Sequence, residues 1–225
     1  MAEHASEIAF DEAPEVRGMR VGAADQAAAD VMHRRIVETA EELFRQYGYQ
    51  KTTVADIAAA LGMSPANVYR FFASKAAITE AVARKVTSDV SEEVRQAMNE
   101  PGLSARERLR RYVHVTTRSI IKRCITDKRL HAIVHVAIDQ NWAVVQAHKE
   151  NLRRMIAAAI ADGVRDGEFD VADVEVAAHC FQAATVSCCH PVLVEYRLRT
   201  DEDIEASVEP LLAFALRALG AEQPH

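Results

Sequence analysis

The chain has 225 residues, of which 49% are hydrophobic and 6% aromatic, and its formal net charge is −6 at pH 7. This length leaves room for one large domain or two small ones around a buried core. The acidic balance excludes a generally basic nucleic-acid coat, so any grip on nucleic acid has to be local.

With only 8 Gly and 6 Pro, and much of the apolar content alanine, the sequence predicts an all-α protein. No long apolar run suited to a membrane-spanning helix occurs, and the acidic N-terminus lacks the apolar stretch of a secretory signal. The cysteines Cys124, Cys180, Cys188 and Cys189 lack a disulfide-scaffold or zinc-finger spacing. A cytoplasmic protein with reduced thiols and no membrane partner is expected.

Residues 1–28 carry Glu3, Glu7, Asp11, Glu12, Glu15 and Asp25 against Arg17 and Arg20, with no sustained period. They are expected to form a disordered acidic tail. Over 29–47, Ile36, Ala40, Leu43, Phe44 and Tyr47 share one helical face, and Gly48 is placed as the C-cap. Thr53 opens a short helix with Asp56 in capping-box position, and Gly62 ends it. Ser64 caps the next helix, with Pro65 in its first turn.

Ser74 caps a fourth helix running to about residue 99, where Pro101 and Gly102 stop the pattern. Ser104 and Glu107 form a second candidate capping box, opening a helix to about 126. Helices over about 129–141, 143–165, 171–190 and 202–219 complete a set of nine. The second of these is expected to end at Gly163 and Gly167, and Pro210 to kink the last.

The segment 53–72 has the pattern of two short helices joined by the turn Gly62-Met63-Ser64. At 100° per residue, Pro65, Val68 and Phe72 of the second helix face inward, while Ala66, Asn67 and Arg70 face outward near its N-terminus. Such short polar residues suit the major groove. Asn67 can pair bidentately with adenine, Arg70 can pair with guanine or a phosphate, and Ala66 can touch a thymine methyl. Thr53, Ser64, Tyr69 and Lys75 can donate to phosphate oxygens and so fix register without reading bases. The region 34–78 holds six basic and four acidic side chains, which makes it only mildly basic.

The string Thr52-Thr53-Val54-Ala55-Asp56-Ile57-Ala58, then Leu61-Gly62-Met63-Ser64, then Val68-Tyr69-Arg70-Phe71-Phe72-Ala73-Ser74-Lys75, resembles the DNA-binding domain of the TetR (tetracycline-repressor) family. The resemblance covers roughly residues 34–80. It implies phosphate contacts at Tyr69, Lys75 and Thr53, and base contacts near Ala66, Asn67 and Arg70. Pro65-Ala66-Asn67 departs from the small Gly and Thr residues common there, which leaves the bases read open. The resemblance also implies a variable helical domain after the reader, binding a small molecule and dimerising through its last two helices.

The sequence supports that plan independently. Apolar residues surround most of 171–190, and 202–219 carries one wide apolar stripe. Phe181, Ala184, Val208, Leu211, Leu212 and Ala215 are the expected homodimer interface. Polar residues within apolar helices, namely His114, Thr117, His131, His135, Asp139, Trp142 and His179, are the candidate effector pocket; Asn141 and Gln146 are near them. His131 and His135 have a metal-ligand spacing. Neither an H-E-x-x-H motif nor a cysteine partner accompanies them, so they read as a packed or surface pair and no metal is expected. The run Cys188-Cys189-His190-Pro191 leaves thiol or metal sensing open, although buried cysteines behave as small hydrophobes.

No phosphate loop, nucleophile elbow or other catalytic signature is present, so no enzyme and no cofactor is expected. The sequence thus divides into a tail (1–28), a helix-turn-helix domain (29–78) and a helical effector-binding and dimerisation domain (79–225). The expected function is a sequence-specific transcriptional regulator of double-stranded DNA. The leading reading is a ligand-responsive repressor, homodimeric on a palindromic operator, with an unknown small-molecule effector. An activator, or a regulator switched by a protein partner, is the alternative.

Overall fold

The computed structural model describes residues 23–140, 142–200 and 202–220, and among these it holds eleven α-helices and no strand. They are α1 (Ala23–Tyr47), α2 (Val54–Ala60), α3 (Pro65–Tyr69), α4 (Lys75–Met98), α5 (Ala105–Thr126) and α6 (Lys128–Asp139). The rest are α7 (Ala143–Arg165), α8 (Val174–Ala184), α9 (Val186–Cys189), α10 (Pro191–Arg199) and α11 (Ile204–Arg217).

Two expectations about boundaries change. The first helix begins at Ala23, so the last residues of the expected tail are helical; residues 1–22 lie outside the described residues. The single helix expected over 171–190 starts later and splits. Asp173 caps α8, its carboxylate accepting the N–H groups of Glu175 and Val176. Proline disfavours helical backbone in the residue before it, so His190 is extended (φ −104, ψ 123) and Pro191 starts α10 as its first residue. Sequence reading left α10 unassigned because it has no strong apolar face; Val194 is its one buried residue.

Caps explain the remaining ends. Thr53 and Asp56 form the full capping box, and Gly48, Gly62 and Gly167 adopt positive φ just beyond helix ends. At α5 only half of the expected box forms: Ser104 accepts the Glu107 N–H. The other partner comes from across the fold, where the Glu168 carboxylate accepts the N–H groups of Ala105 and Arg106 at 2.9 and 3.1 Å. Gly163 does not end α7, which runs through it to Arg165. Its missing side chain leaves room for the Phe169 ring. Pro210 sits inside α11.

Two main cores result. One joins Ile36, Phe44, Ile57, Val68, Phe72, Ile78 and Val82 of the first four helices to Leu130 and Ile133 of α6. The other gathers Val94, Leu109, Tyr112, Ile156, Phe181 and Leu212. Helix α4 enters both, with Ile78 to Val86 in the first and Val90 to Met98 in the second. The reader is therefore joined to the rest by a continuous helix, and also by α6 packed against α1 and α4. Arg45 reinforces the second joint, its Nε donating to Asp127 at 3.0 Å.

Candidate nucleic-acid interface and ligand cavity

Helices α2 and α3 are held by few residues. Val54, Ile57 and Ala58 of α2 and Val68 of α3 are buried, and Phe72 just beyond packs its ring 4.2 Å from that of His33 on α1. Five residues cannot hold a helix alone. The Ser64 cap, Pro65 and the Val68 anchor therefore fix α3.

Ala66 and Asn67 on α3 and Arg70, its C-cap, are all exposed, whereas Val68 is buried. Pro65 is exposed too, contrary to the inward face expected for it, because α3 starts at the lip of the turn. Tyr69 beside the outward set is 51% exposed.

The positioning residues differ in how far they are engaged. The Thr53 hydroxyl accepts the Asp56 N–H at 3.1 Å and donates to Asp56 Oδ2 at 2.7 Å. Its donor is thus engaged within the capping box, and the bond holds the Asp56 carboxyl below its ordinary pKa. The Ser64 hydroxyl accepts the Asn67 N–H at 3.4 Å, which leaves its proton out of that cap. Lys75 Nζ donates to the Gln50 carbonyl at 3.1 Å, tying the α1–α2 loop to the start of α4. An ammonium has three donors, so this bond leaves others for a phosphate.

A cavity of about 390 Å³ lies among α4, α5, α6, α7 and the α8–α10 region. Val86, Val90, Ile120, Val134, Ile138 and Leu152 form its apolar wall. Two buried polar atoms of its lining, Thr116 Oγ1 and His190 Nδ1, have no hydrogen-bond partner. An unpaired buried polar group costs about 1–3 kcal/mol, so such atoms mark a place where a ligand or water completes the bonding. His148 also lines the cavity, with Nδ1 2.9 Å from Ser91 Oγ. Burial, then the Arg123 charge, lowers its pKa to about 4.

Of the residues expected in an effector pocket, His131 and His179 line this cavity, as does Gln146; the others do not. Thr117 turns instead to the Cys188 carbonyl, to which its hydroxyl donates at 2.9 Å. Its neighbour Thr116 is the cavity residue, because adjacent helical side chains point about 100° apart. His114 Nε2 lies 2.7 Å from Glu209 Oε1, and that hydrogen bond holds the Glu209 carboxyl below its usual range. His135 faces Glu195, Asp139 is exposed, and the Trp142 indole donates to Gln140. Asn141 lies outside the described residues. Sequence reading missed His190 because the bend at Pro191 turns it inward, and missed His148 because it sits on a helix that otherwise reads as amphipathic.

The expected dimer contacts also change. Phe181, Val208, Leu212 and Ala215 are buried within the single chain, and Phe181 packs near Tyr112. They are core residues and cannot meet a partner; Ala184 and Leu211 are only half-buried. The outward apolar side chains on these helices are Val176 at 58% and Phe214 at 63% exposure, with Cys180 and Ala183 also exposed. Cys188 is buried, and burial pushes the Cys189 thiol up to about 12. That is the opposite of what a reactive thiolate needs.

A capped helix-turn-helix with its second helix exposed, joined to a helical domain with an internal cavity, is the plan of a DNA-binding transcriptional regulator. Comparison with known proteins gives the same class. The family described as "Bacterial regulatory proteins, tetR family" matches residues 36–82, and "Tetracyclin repressor-like, C-terminal domain" matches residues 105–210. A Bacillus subtilis protein described as the uncharacterized HTH-type transcriptional regulator YhgD is 23% identical over 143 residues, covering 64% of this chain and 74% of its own.

Among solved structures, the fatty acid degradation regulator FadR of Bacillus halodurans superposes with a TM-score of 0.59 at 17% identity, covering 86% of this chain and 97% of that one. A TetR/AcrR-family regulator from Thermobifida fusca gives 0.59 at 21% identity, covering 85% and 100%. RolR, solved with resorcinol, gives 0.58 at 16%, covering 88% and 91%. The chain belongs to the tetR family of bacterial transcriptional regulators. Among the described residues, no helix is long and apolar enough to cross a membrane.

Proposed function

We propose that this regulator is a homodimer that reads a palindromic operator through α3 and releases or rearranges on it when a small molecule enters the cavity. One observation carries the ligand response: Thr116 Oγ1 and His190 Nδ1 stand unpaired in a largely apolar cavity of about 390 Å³. That volume lies within the range of small-molecule sites. The fitting effector has an apolar body and one end that hydrogen-bonds to a hydroxyl and an imidazole. The presence of resorcinol in a relative of the same fold agrees with this class.

Asn67 and Arg70 carry base recognition, with Ala66 allowing close approach. Ser64, Tyr69 and Lys75 position the phosphates, and Thr53 joins them if its hydroxyl turns away from Asp56. The exposed faces of α8 and α11 around Val176 and Phe214 form the dimer contact. Cavity walls on α4 and α6 also belong to the helices that hold the reader, which gives a ligand a mechanical route to the spacing of two readers. The ligand must favour one spacing over the other for this to work.

Fluorescence anisotropy on DNA upstream of the chain's own gene, together with duplexes selected from a random pool, tests the reading. Specific binding with a log–log salt slope steeper than about −4 is expected for a dimer with several phosphate contacts. Absence of any sequence-specific binding at moderate salt refutes it. A panel of phenols and fatty carboxylates, scored by release of the selected duplex, tests the ligand response. Release that persists in Thr116→Val and His190→Phe counts against the cavity.

A further inference from the structure

We propose that His131, His135 and Glu195 form a binding site for a divalent transition-metal ion of the zinc class, clipping α6 to α10. The inference does not depend on ligand response or DNA reading. His131 and His135 lie one turn apart on α6 and so share a face. Glu195, on α10, closes the group. One ligand atom from each of the three lies within 4.8 Å of the other two.

The spacing suits an ion. A tetrahedral site with bonds of about 2.0–2.1 Å places its ligand atoms about 3.3 Å apart. His131 Nε2 and His135 Nε2 are 3.2 Å apart, and His131 Nε2 is 3.5 Å from Glu195 Oε2. His135 Nε2 and Glu195 Oε2 are in closer contact still, so an ion would part that pair slightly.

The surroundings already hold these groups in place. Glu195 turns its other oxygen to Arg199, which leaves Oε2 facing the two imidazoles. Such an outer partner orients a ligating carboxylate. His131 is buried, which holds its ring in place, and a neutral imidazole offers the lone pair that a metal requires. Cys124 Sγ lies 3.3 Å from His131 Nε2 but outside the group of three ligand atoms, and burial pushes its thiol up to about 11, so it stays a neighbour of the site. Two imidazoles and one carboxylate exclude magnesium and calcium as the preferred ion, since those take oxygen ligands. Sequence reading saw the histidine pair and found no partner nearby; the partner comes from a helix that it had not assigned.

The test uses the full chain, stripped with a chelator and titrated with cobalt(II) and then zinc(II). A visible absorption band of low-coordinate cobalt, displaced by zinc, and a zinc-dependent rise in melting temperature are expected. Glu195→Gln and His135→Asn should each weaken binding by more than the roughly 10–100-fold that losing an outer-shell partner causes. Glu205→Gln, at an exposed site on α11, should leave it unchanged. Circular dichroism without metal checks that each variant folds, and two separate ligand variants guard against one that does not. Equal cobalt and zinc affinity in wild type and in both ligand variants overturns the proposal, leaving the three side chains as a hydrogen-bonded cluster.

Discussion

Replacing Gly163 by alanine sets two effects of opposite sign against each other. Alanine in a helix interior is favoured over glycine by about 1 kcal/mol, and Gly163 lies within α7. A Cβ there would stand 2.2 Å from Phe169 Cδ2, 2.6 Å from Cε2 and 2.8 Å from the Ala105 Cβ. The ring has little freedom to yield. Phe169 is 3% exposed, its N–H is bonded to the Gly163 carbonyl, and the Arg106 guanidinium lies over its face. Overpacking of this kind costs about 1–3 kcal/mol, and the clash here belongs at the upper end. Glu168, the α5 cap, is adjacent, so a displaced Phe169 also disturbs the α5 start.

The net expectation for Gly163→Ala is a loss of about 2 kcal/mol. For a chain of this size that is a fall of roughly 4–8 °C in melting temperature at fixed protein concentration. Denaturant titration supplies the matching free energy. The double variant separates the two effects: in a Phe169→Ala background the same Gly163→Ala change should cost clearly less, the remainder coming from the approach to the Ala105 Cβ, which stays. A single variant as stable as the wild type, or more so, refutes the reasoning.

Arg70→Ala and Asn67→Ala should each cost about 1–3 kcal/mol on a selected duplex and relax the base preference at one position, whereas Lys75→Ala should weaken all duplexes alike and reduce the salt slope by about 1 per reader; anisotropy across mismatched duplexes tells these apart. Val176→Asp and Phe214→Asp, both at exposed sites, should convert dimers to folded monomers in sedimentation, and an unchanged dimer would move the interface elsewhere. For His148, the pKa of about 4 in the fold lies below the ordinary 6.5, so the unfolded chain binds the extra proton first. Its contribution is therefore complete above about pH 6.5 and declines by up to about 3 kcal/mol as pH falls towards 4. Denaturant titrations of His148→Gln should lose that part of the acid destabilisation, and an identical pH profile would count against it.

The helix-turn-helix was legible in the sequence because its determinants are local. Capping residues at Thr53, Ser64 and Ser74, the turn at Gly62 and the spacing of Val54, Ile57 and Val68 all act within a few residues of one another. Periodicity likewise placed the long helices α4, α5 and α7. What the sequence could not supply was which side of an apolar helix faces its own chain. Helices α8 and α11 are apolar enough for either use. Only packing against Tyr112 and Leu109 turned Phe181, Val208 and Leu212 inward and left Val176 and Phe214 outside.

Distant pairings were equally out of reach. Glu168 caps a helix more than sixty residues earlier in the chain, Glu195 meets two histidines of α6, and Thr116 rather than Thr117 borders the cavity. Local propensity and capping act along the chain and are written in it. Cavities, interfaces and ligand clusters depend on how helices rotate and meet, and those small angles emerge only once every apolar face competes for the same core.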